Sequence, residues 1–551
     1  MRMTNKIMQN NSLYNINNNK IMQDKLSTMM STQKKITKPS DDPVIAIRAL
    51  RLRTSVSELT QYYEKNAPDA ESWLDVTTKA LENTVAEVLT QMNKTANKAA
   101  NKEYSSEDLA VYVEQLKSLR NEFYSTGNLD YAGRYVFTGY RTDTPLTFMK
   151  DVEDNPKTVP SYEITEQVTI KDLDKINYTD AAGLEGVNKN NYSDYKGIDE
   201  NDINNGDIRR LRLSYDDLSD APDSVKLTYI DENGKEQEVV PAPTVVSVNA
   251  NPDPYETMLD GNIGIAPGHN NQVVFVPETG EILFCSHFKG FDNLNENTEI
   301  RVTYTKDSWK DGDLRPEHYF ACKKAVVDEN GNPVYVQKVD ANGKPMVDGG
   351  GNPIYEQKII DYNPEYLTEG NTNKQVIEYD VGYNQKIQVN TTADKVFIHA
   401  LDRDIDDLER ALTDLTNMDA TMTDLDLVLK GMDESNADYG DVKKQYDAAK
   451  KAYDYMRENI HTMFEGTITK TQQYLDKTNL AVTDNGTRSQ RLELISNRLM
   501  DQRTNFKTLQ SENEDIDIAE VIIQLTSTEL TYNSALMATG KIMQTSLMNY
   551  I

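Results

Sequence analysis

Proline draws the map of this chain. Pro39, Pro43, Pro68 and Pro145 are the only prolines before residue 150, and none of the 18 follows Pro364. A proline inside a helix removes a hydrogen bond and clashes with the preceding turn. Long helices are therefore expected in the two flanks, and irregular or β structure in the centre. Both ends are proline-free and amphipathic, which predicts helices over residues 4–38 and 516–551. On a 100° wheel Met3, Ile7, Tyr14, Ile21, Met22, Leu26, Met29 and Ile36 share one face of the first. Ile518, Val521, Ile522, Leu525, Tyr532, Leu536, Met543, Leu547 and Tyr550 share one face of the last. A chain that starts and finishes in a lone apolar stripe must bury both. The simplest partners are each other, and then the stripes of neighbouring copies.

Composition fits a lean, elongated helical frame. With 551 residues the chain is long enough for three or four domains, yet only 38% of it is apolar and its mean hydropathy is −0.68. No stretch approaches the roughly 18 consecutive apolar residues of a membrane span. Asn and Lys interrupt every apolar run before residue 40, so no secretory peptide is read there and any export is expected to use another route. The net charge of −30 argues against nucleic acid and anionic membranes as partners. The acidity lies downstream: residues 1–40 carry Arg2, Lys6, Lys20, Lys25, Lys34, Lys35 and Lys38 against Asp24 alone. This basic arm is expected to pair with the acidic remainder rather than with RNA or lipid. Two cysteines, Cys285 and Cys322, make neither a disulfide framework nor a zinc site.

Between the ends, the segment Lys38-Pro-Ser-Asp-Asp-Pro43 stops the first helix and starts the next. Ser40, Asp41 or Asp42 is expected to cap the new helix, with Pro43 in its first turn. Pro39, Ser40, Asp41, Asp42 and Pro43 thus form an interdomain linker. Helical patterns follow at about 69–101 and 105–125, the latter opened by Ser105 and Asp108 as a capping pair. Residues 131–148 change to a strand-turn-strand rhythm. From about 150 to 392 the texture is β-rich, with turn signals at Asn233-Gly234, Glu278-Thr279-Gly280, Asn330-Gly331-Asn332-Pro333, Asn342-Gly343-Lys344-Pro345 and Gly351-Asn352-Pro353. Helical texture returns over about 394–416, 421–431, 440–479, 486–512 and 516–551.

The fold class expected is α+β and multidomain: a discontinuous, coiled-coil-like bundle of N- and C-terminal helices carrying a large β-rich insertion. Residues 1–39 with 516–551 form a terminal helical pair. Residues 40–149 with 393–515 form a helical rod with a β-hairpin near 131–148, and 150–392 form the insert. The assembly interface is expected at Ile7, Tyr14, Ile21 and Met29, with Ile518, Ile522, Leu525, Tyr532, Leu536, Met543 and Leu547.

Catalytic chemistry finds no footing. His269, His287, His318, His399 and His461 are scattered, and no HExxH, Walker, Gly-x-Ser-x-Gly or dinucleotide motif occurs. No catalytic residue, metal or cofactor is expected. Asp402, Asp404, Asp406, Asp407 and Glu409 spread over several faces of a helix and read as a solvated charged surface. Asn11, Asn18 and Lys25 recur at seven-residue spacing beside the first stripe, as register-setting polar positions or as its wet edge.

In their order along the chain several segments match a pattern. Met1-Arg2-Met3-Thr4 opens it. Ile36-Thr-Lys-Pro-Ser-Asp-Asp-Pro-Val-Ile-Ala-Ile-Arg-Ala-Leu50 follows, then Tyr135-Val-Phe-Thr-Gly-Tyr-Arg-Thr-Asp-Thr-Pro145. Asn485-Gly-Thr-Arg-Ser-Gln-Arg-Leu492, Asp515-Ile-Asp-Ile-Ala-Glu520 and Ser546-Leu-Met-Asn-Tyr-Ile551 complete it. The set resembles the bacterial flagellar hook-associated protein 3 family, the proteins of the hook–filament junction, and more distantly flagellin. It covers about residues 1–148 and 392–551. The insert of about 240 residues is larger than the usual one. The resemblance implies a non-enzymatic, exported structural protein of the extracellular flagellum. It would assemble as a homo-oligomeric ring, contact a neighbouring hook-associated junction protein and flagellin, and be escorted by a flagellar export chaperone. A filament subunit, or an adhesin acting through the β-rich insert, are the alternatives.

Overall fold

The computed structural model of the protein describes residues 5–149, 161–231, 234–250, 253–259, 272–285, 288–291, 294–328, 331–339, 344–347, 352–368 and 375–548. Its helices are α1 (Asn5–Thr32), α2 (residues 43–99), α3 (Ser106–Thr126), the short α4 (Pro254–Met258), α5 (His399–Gly431), α6 (Tyr439–Glu514) and α7 (Ile518–Met548). A β-rich centre separates α3 from α5, so the molecule is α+β with helical flanks.

Several helix boundaries follow from local chemistry. The helix expected over residues 4–38 ends at Thr32, because Gln33 takes a left-handed conformation with φ of 56° and turns the chain. Asp42 caps α2 by accepting from the N–H groups of Val44 and Ile45 at 2.9 and 3.1 Å, with Pro43 in the first turn. Pro68 does not break α2. A π-helical turn at Tyr62–Asn66 precedes it and widens the backbone where a proline ring would otherwise strike the earlier carbonyl. Ser105 and Asp108 form the expected reciprocal capping box at the start of α3. The segments anticipated as 440–479 and 486–512 are one 76-residue helix, α6.

Contacts divide the chain into two units. The first comprises residues 1–72, 378–388 and 488–551, and the second 73–377 and 389–487. These limits differ from the three segments expected from sequence. The antiparallel hairpin Glu378–Gly382 with Gln385–Gln388, at the end of the β-rich stretch, joins the first unit. Asn66 donates to the carbonyl of Asp380 at 2.7 Å and the Tyr379 hydroxyl donates to Asp69 at 2.5 Å, which ties this hairpin to α2.

In the second unit, a six-stranded antiparallel sheet runs edge to edge as Ile359–Tyr362, Ala321–Ala325, Tyr162–Thr169, Glu299–Lys306, Val225–Ile230 and Glu236–Glu238. A five-stranded sheet runs Asp174–Asp180, Asn204–Arg212, Glu281–Phe284, Val273–Val276 and Thr244–Val245, its last pair parallel. Alternation sends Ile164, Leu227, Val302 and Tyr304 of the first sheet into one core with Leu211, Phe275, Ile282 and Phe284 of the second. The other face of the five-stranded sheet is part apolar, where Ile208, Val274, Val276 and Leu283 pack on Tyr255, Met258 and Leu259, and part charged, where it carries Arg210, Arg212 and Glu281. The strand-turn-strand stretch near 131–148 is shorter than its rhythm suggested. Asp130–Tyr131 pairs with Arg134–Tyr135 about Ala132 and Gly133, both at positive φ; Phe137, Leu146 and Phe148 then serve as buried anchors of irregular chain. Two asparagines dock α2 on α6: Asn93 donates to the Ile468 carbonyl and Asn485 to the Leu74 carbonyl, at 2.9 and 2.8 Å.

The acidic run on α5 is not a solvated surface. Asp404 and Asp407 are buried against Arg210 and Arg212 of the five-stranded sheet. Asp407 lies 2.6 Å from both Arg210 and Arg410, and 2.8 Å from Arg212; Glu281, also buried, lies 2.8 Å from Arg210. Burial alone would raise the Asp407 carboxyl, but the three guanidiniums hold it well below the usual range.

Candidate assembly interface

Within the first unit α1 and α7 pack on each other. They run antiparallel, since Gln23 donates to Glu529 at 3.4 Å while Lys34 pairs with Asp515 at 2.5 Å. The inward positions are half-buried Ser12, Ile16, Asn19 and Gln23 with buried Leu26 on α1. On α7 they are buried Val521 and half-buried Leu525, Thr528, Tyr532, Ala535 and Thr539. Both series alternate steps of four and three, the spacing of a coiled-coil seam. The seam is thin and partly polar. Among the described residues of the two helices, Leu26 and Val521 alone are fully buried, worth about 1.5–3 kcal/mol each.

The residues expected at an assembly interface divide between this seam and the opposite faces. Leu525, Tyr532 and Met29 are half-buried toward the seam. Ile7, Tyr14 and Ile21 are open to solvent, Tyr14 at 67% and Ile21 at 62% exposure, as are Ile518, Ile522 and Leu536. The side chains of Met543 and Leu547 lie outside the described residues. Sequence periodicity missed Leu13, Ile523 and Leu530, which are also exposed, as is Met537 at 73%. They fall off a single 100° stripe, but an exposed apolar side chain on a helix already paired elsewhere was the signal.

The linker holds the two helices at a fixed junction. The Lys35 N–H donates to the Glu514 carbonyl at 2.7 Å, and the Ile516 N–H to the Gln33 carbonyl at 3.3 Å. Arg53 of α2 grips the buried Glu514 carboxylate with Nε and Nη2 at 2.8 and 2.6 Å. Lys34 contacts both Asp515 and, at 3.6 Å, Glu514. Its hydrogen bond to Asp515 raises the lysine and lowers the aspartate. Asp41 caps backwards: it accepts from the N–H groups of Lys38 and Thr37 at 2.9 and 3.1 Å, which hold its carboxyl below the usual range. Pro39 and Ser40 form the exposed turn between these contacts. The basic arm thus places Lys34 on the acidic end of α6, as charge balance suggested.

Such a site presents apolar helix faces and charged rims. No helix among the described residues is long and apolar enough to cross a membrane. Residues 3–142 match the model of the bacterial flagellin N-terminal helical region. Flagellar hook-associated protein 3 of Salmonella typhimurium is 29% identical over 147 residues, and that of Escherichia coli 28% over 151. Each alignment covers 26% of this chain and 45% of the relative, so the chain spans less than half the length of either. A putative flagellar hook-associated protein of Vibrio parahaemolyticus aligns over 86% of this chain and all of its own, at 12% identity and a TM-score of 0.30. The N-terminal helices thus resemble the flagellin N-terminal helical region. The aligned stretches of this chain are similar to flagellar hook-associated protein 3 of both organisms.

Proposed function

We propose that the protein is a non-enzymatic structural subunit of the bacterial flagellum. Exported to the cell exterior, it joins hook to filament as a ring of identical copies on which the filament is built. A single observation carries this reading: after α1 and α7 have packed together, both still present rows of exposed large apolar side chains. Isolated helices with so thin a seam are marginal in water, and patches of this kind are buried by further chains. Ile7, Tyr14, Ile21, Ile518, Ile522 and Leu536 are the contacts assigned to neighbouring copies. A neighbouring hook-associated protein and flagellin would meet the same layer above and below, and an export chaperone would shield α7 before assembly. A strain lacking the gene is expected to make hooks without filaments; a strain with normal filaments would overturn the proposal. Because residues 3–142 match a flagellin model, a filament subunit is the second reading. Immunogold label confined to the hook end supports the junction, and label along the filament supports flagellin.

A further inference from the structure

A cavity of about 290 Å³ lies within the second unit, among the strand Asp174–Asp180, the short α4, α5 and α6. Ile176, Val248, Met456 and Met463 give it apolar walls. Tyr178 and Tyr255 also line it, stacked with ring centroids 5.6 Å apart. Its charges do not balance. Among the described lining residues Arg410 alone is cationic, and it is engaged by Asp407 at 2.6 Å and by buried Glu281 at 3.0 Å. Glu185, Asp253 and Asp414 line the cavity without a basic partner among the described residues. Asp253 accepts from the Tyr255 N–H at 2.7 Å and from the Tyr178 hydroxyl at 3.4 Å, whereas Asp414 and Glu185 accept from no described group.

Asn459 of α6 is an independent sign of a missing donor. It lines the cavity, is only 8% exposed, and its amide is oriented by its neighbours. Nδ2 donates to Thr179 Oγ1 at 3.0 Å and to Asn205 Oδ1 at 2.9 Å, and the Thr179 hydroxyl donates to the same Asn205 oxygen at 2.8 Å. The Asn459 Oδ1 is left without a donor among the described residues and is open to the cavity rather than sealed in protein. Asn459, Asp414 and Glu185 thus all offer acceptors. We propose that the cavity binds a small organic cation, a primary ammonium on a short alkyl chain, as in an aliphatic diamine or a lysine side chain. The ammonium supplies donors to Asn459 and Asp414, the methylenes suit the methionine and isoleucine walls, and the tyrosine faces favour a cation. A bare divalent metal fits less well: it needs oxygen ligands within about 2.0–2.6 Å, and no group of three His, Cys, Asp or Glu among the described residues is placed to hold one.

Burial, and then Glu185 and Asp253, push the Asp414 carboxyl up to about 7 against the pull of Arg410; burial raises Glu185 and Asp253 as well, and Asp180 adds to both. Glu256 of α4 is raised by burial and by Asp180 and Asp253. An ammonium favours the ionised carboxylates, so binding strengthens as pH rises through 7 and weakens below it. Isothermal titration of the full chain with putrescine at constant ionic strength tests this, with butanol and Mg²⁺ as controls. Putrescine is expected to bind at about 1 mM or tighter at pH 8 and about tenfold more weakly at pH 6. Butanol should not bind and Mg²⁺ should not compete. Asp414→Asn is expected to weaken binding at least about tenfold with an unchanged circular dichroism spectrum. Glu185→Gln alters an exposed side chain, keeps the fold, and should weaken binding severalfold. A second titration with Nα-acetyl-lysine amide separates the sources: tighter binding of putrescine assigns a free amine, and tighter binding of the lysine assigns a side chain of a partner. No saturable heat up to about 10 mM putrescine, equal affinity in wild type and both variants, or equal binding of Mg²⁺ overturns the proposal.

Discussion

At the scale of single residues, charge placement decides what is rigid. Asp407 is enclosed by Arg210, Arg212 and Arg410, and removing its carboxylate leaves this buried cluster one anion short, with Glu281 and Asp404 as the remaining buried partners. Asp407→Ala is expected to destabilise the second unit by about 3–5 kcal/mol in chemical denaturation; Asp42→Ala, which loses a helix cap, is expected to cost only about 1 kcal/mol. Sequence misread Asp407 because its main partners sit on a strand 197 and 195 positions away. Arg210 and Arg212 share one strand face while Leu211 between them points into the core, a pattern that hints at a charged face opposing another charged face. The linker titrates in a direction set by Asp41 and Asp515, both lowered. Their folded values lie below their unfolded ones, so the stabilisation is complete above the ordinary carboxylate value of about 4 and is lost as pH falls through the lowered values. Amide exchange at Thr37 and Lys38, corrected for intrinsic rate, should accelerate below about pH 4 and respond less in Asp41→Asn. Unchanged protection at pH 3 would contradict this.

At the scale of elements, α1 and α7 each have a seam face and an exposed face carrying large apolar side chains. Leu525 lies toward the intrachain seam, whereas Leu536 is exposed. Leu525→Asp is expected to separate α1 from α7, seen as loss of exchange protection in both helices even in the assembled state. Leu536→Asp should keep the pair and abolish incorporation into flagella, because a charge would be desolvated against the next copy. Normal incorporation of the second variant removes Leu536 from the interface. What was legible beforehand tracks how local the physics is. The Asp42 cap and the Ser105–Asp108 box were readable because they close within three residues. The Glu278–Gly280 hairpin was readable because Gly280 at φ of 59° marks the turn. The seam was not, since a wheel finds the most apolar face of an isolated helix. The face α1 turns inward carries Ser12, Asn19 and Gln23, and tertiary pairing chose it over the greasier one. The π-helical passage through Pro68 was equally hidden, because it depends on a backbone insertion rather than on a residue type.

At the scale of the whole molecule, the two ends bury far less than the rest of the chain. The second unit holds its own cores, with residues such as Trp73, Phe137, Phe275 and Phe464 essentially inaccessible. By contrast, among their described side chains, α1 and α7 bury one large one apiece, against the backbone entropy of ordering 28 and 31 residues at about 1–2 kcal/mol each. Local opening free energies should therefore be near zero at the ends and high in the second unit. In a dilute monomer, amides of α1 and α7 are expected to exchange within seconds to minutes while those of Glu299–Lys306 and of α5 persist for hours. Assembly should raise protection of the terminal helices by orders of magnitude and leave the second unit unchanged. Persistent protection across α1 in the isolated chain would mean that its thin seam suffices, and the exposed rows on both helices would then need another explanation.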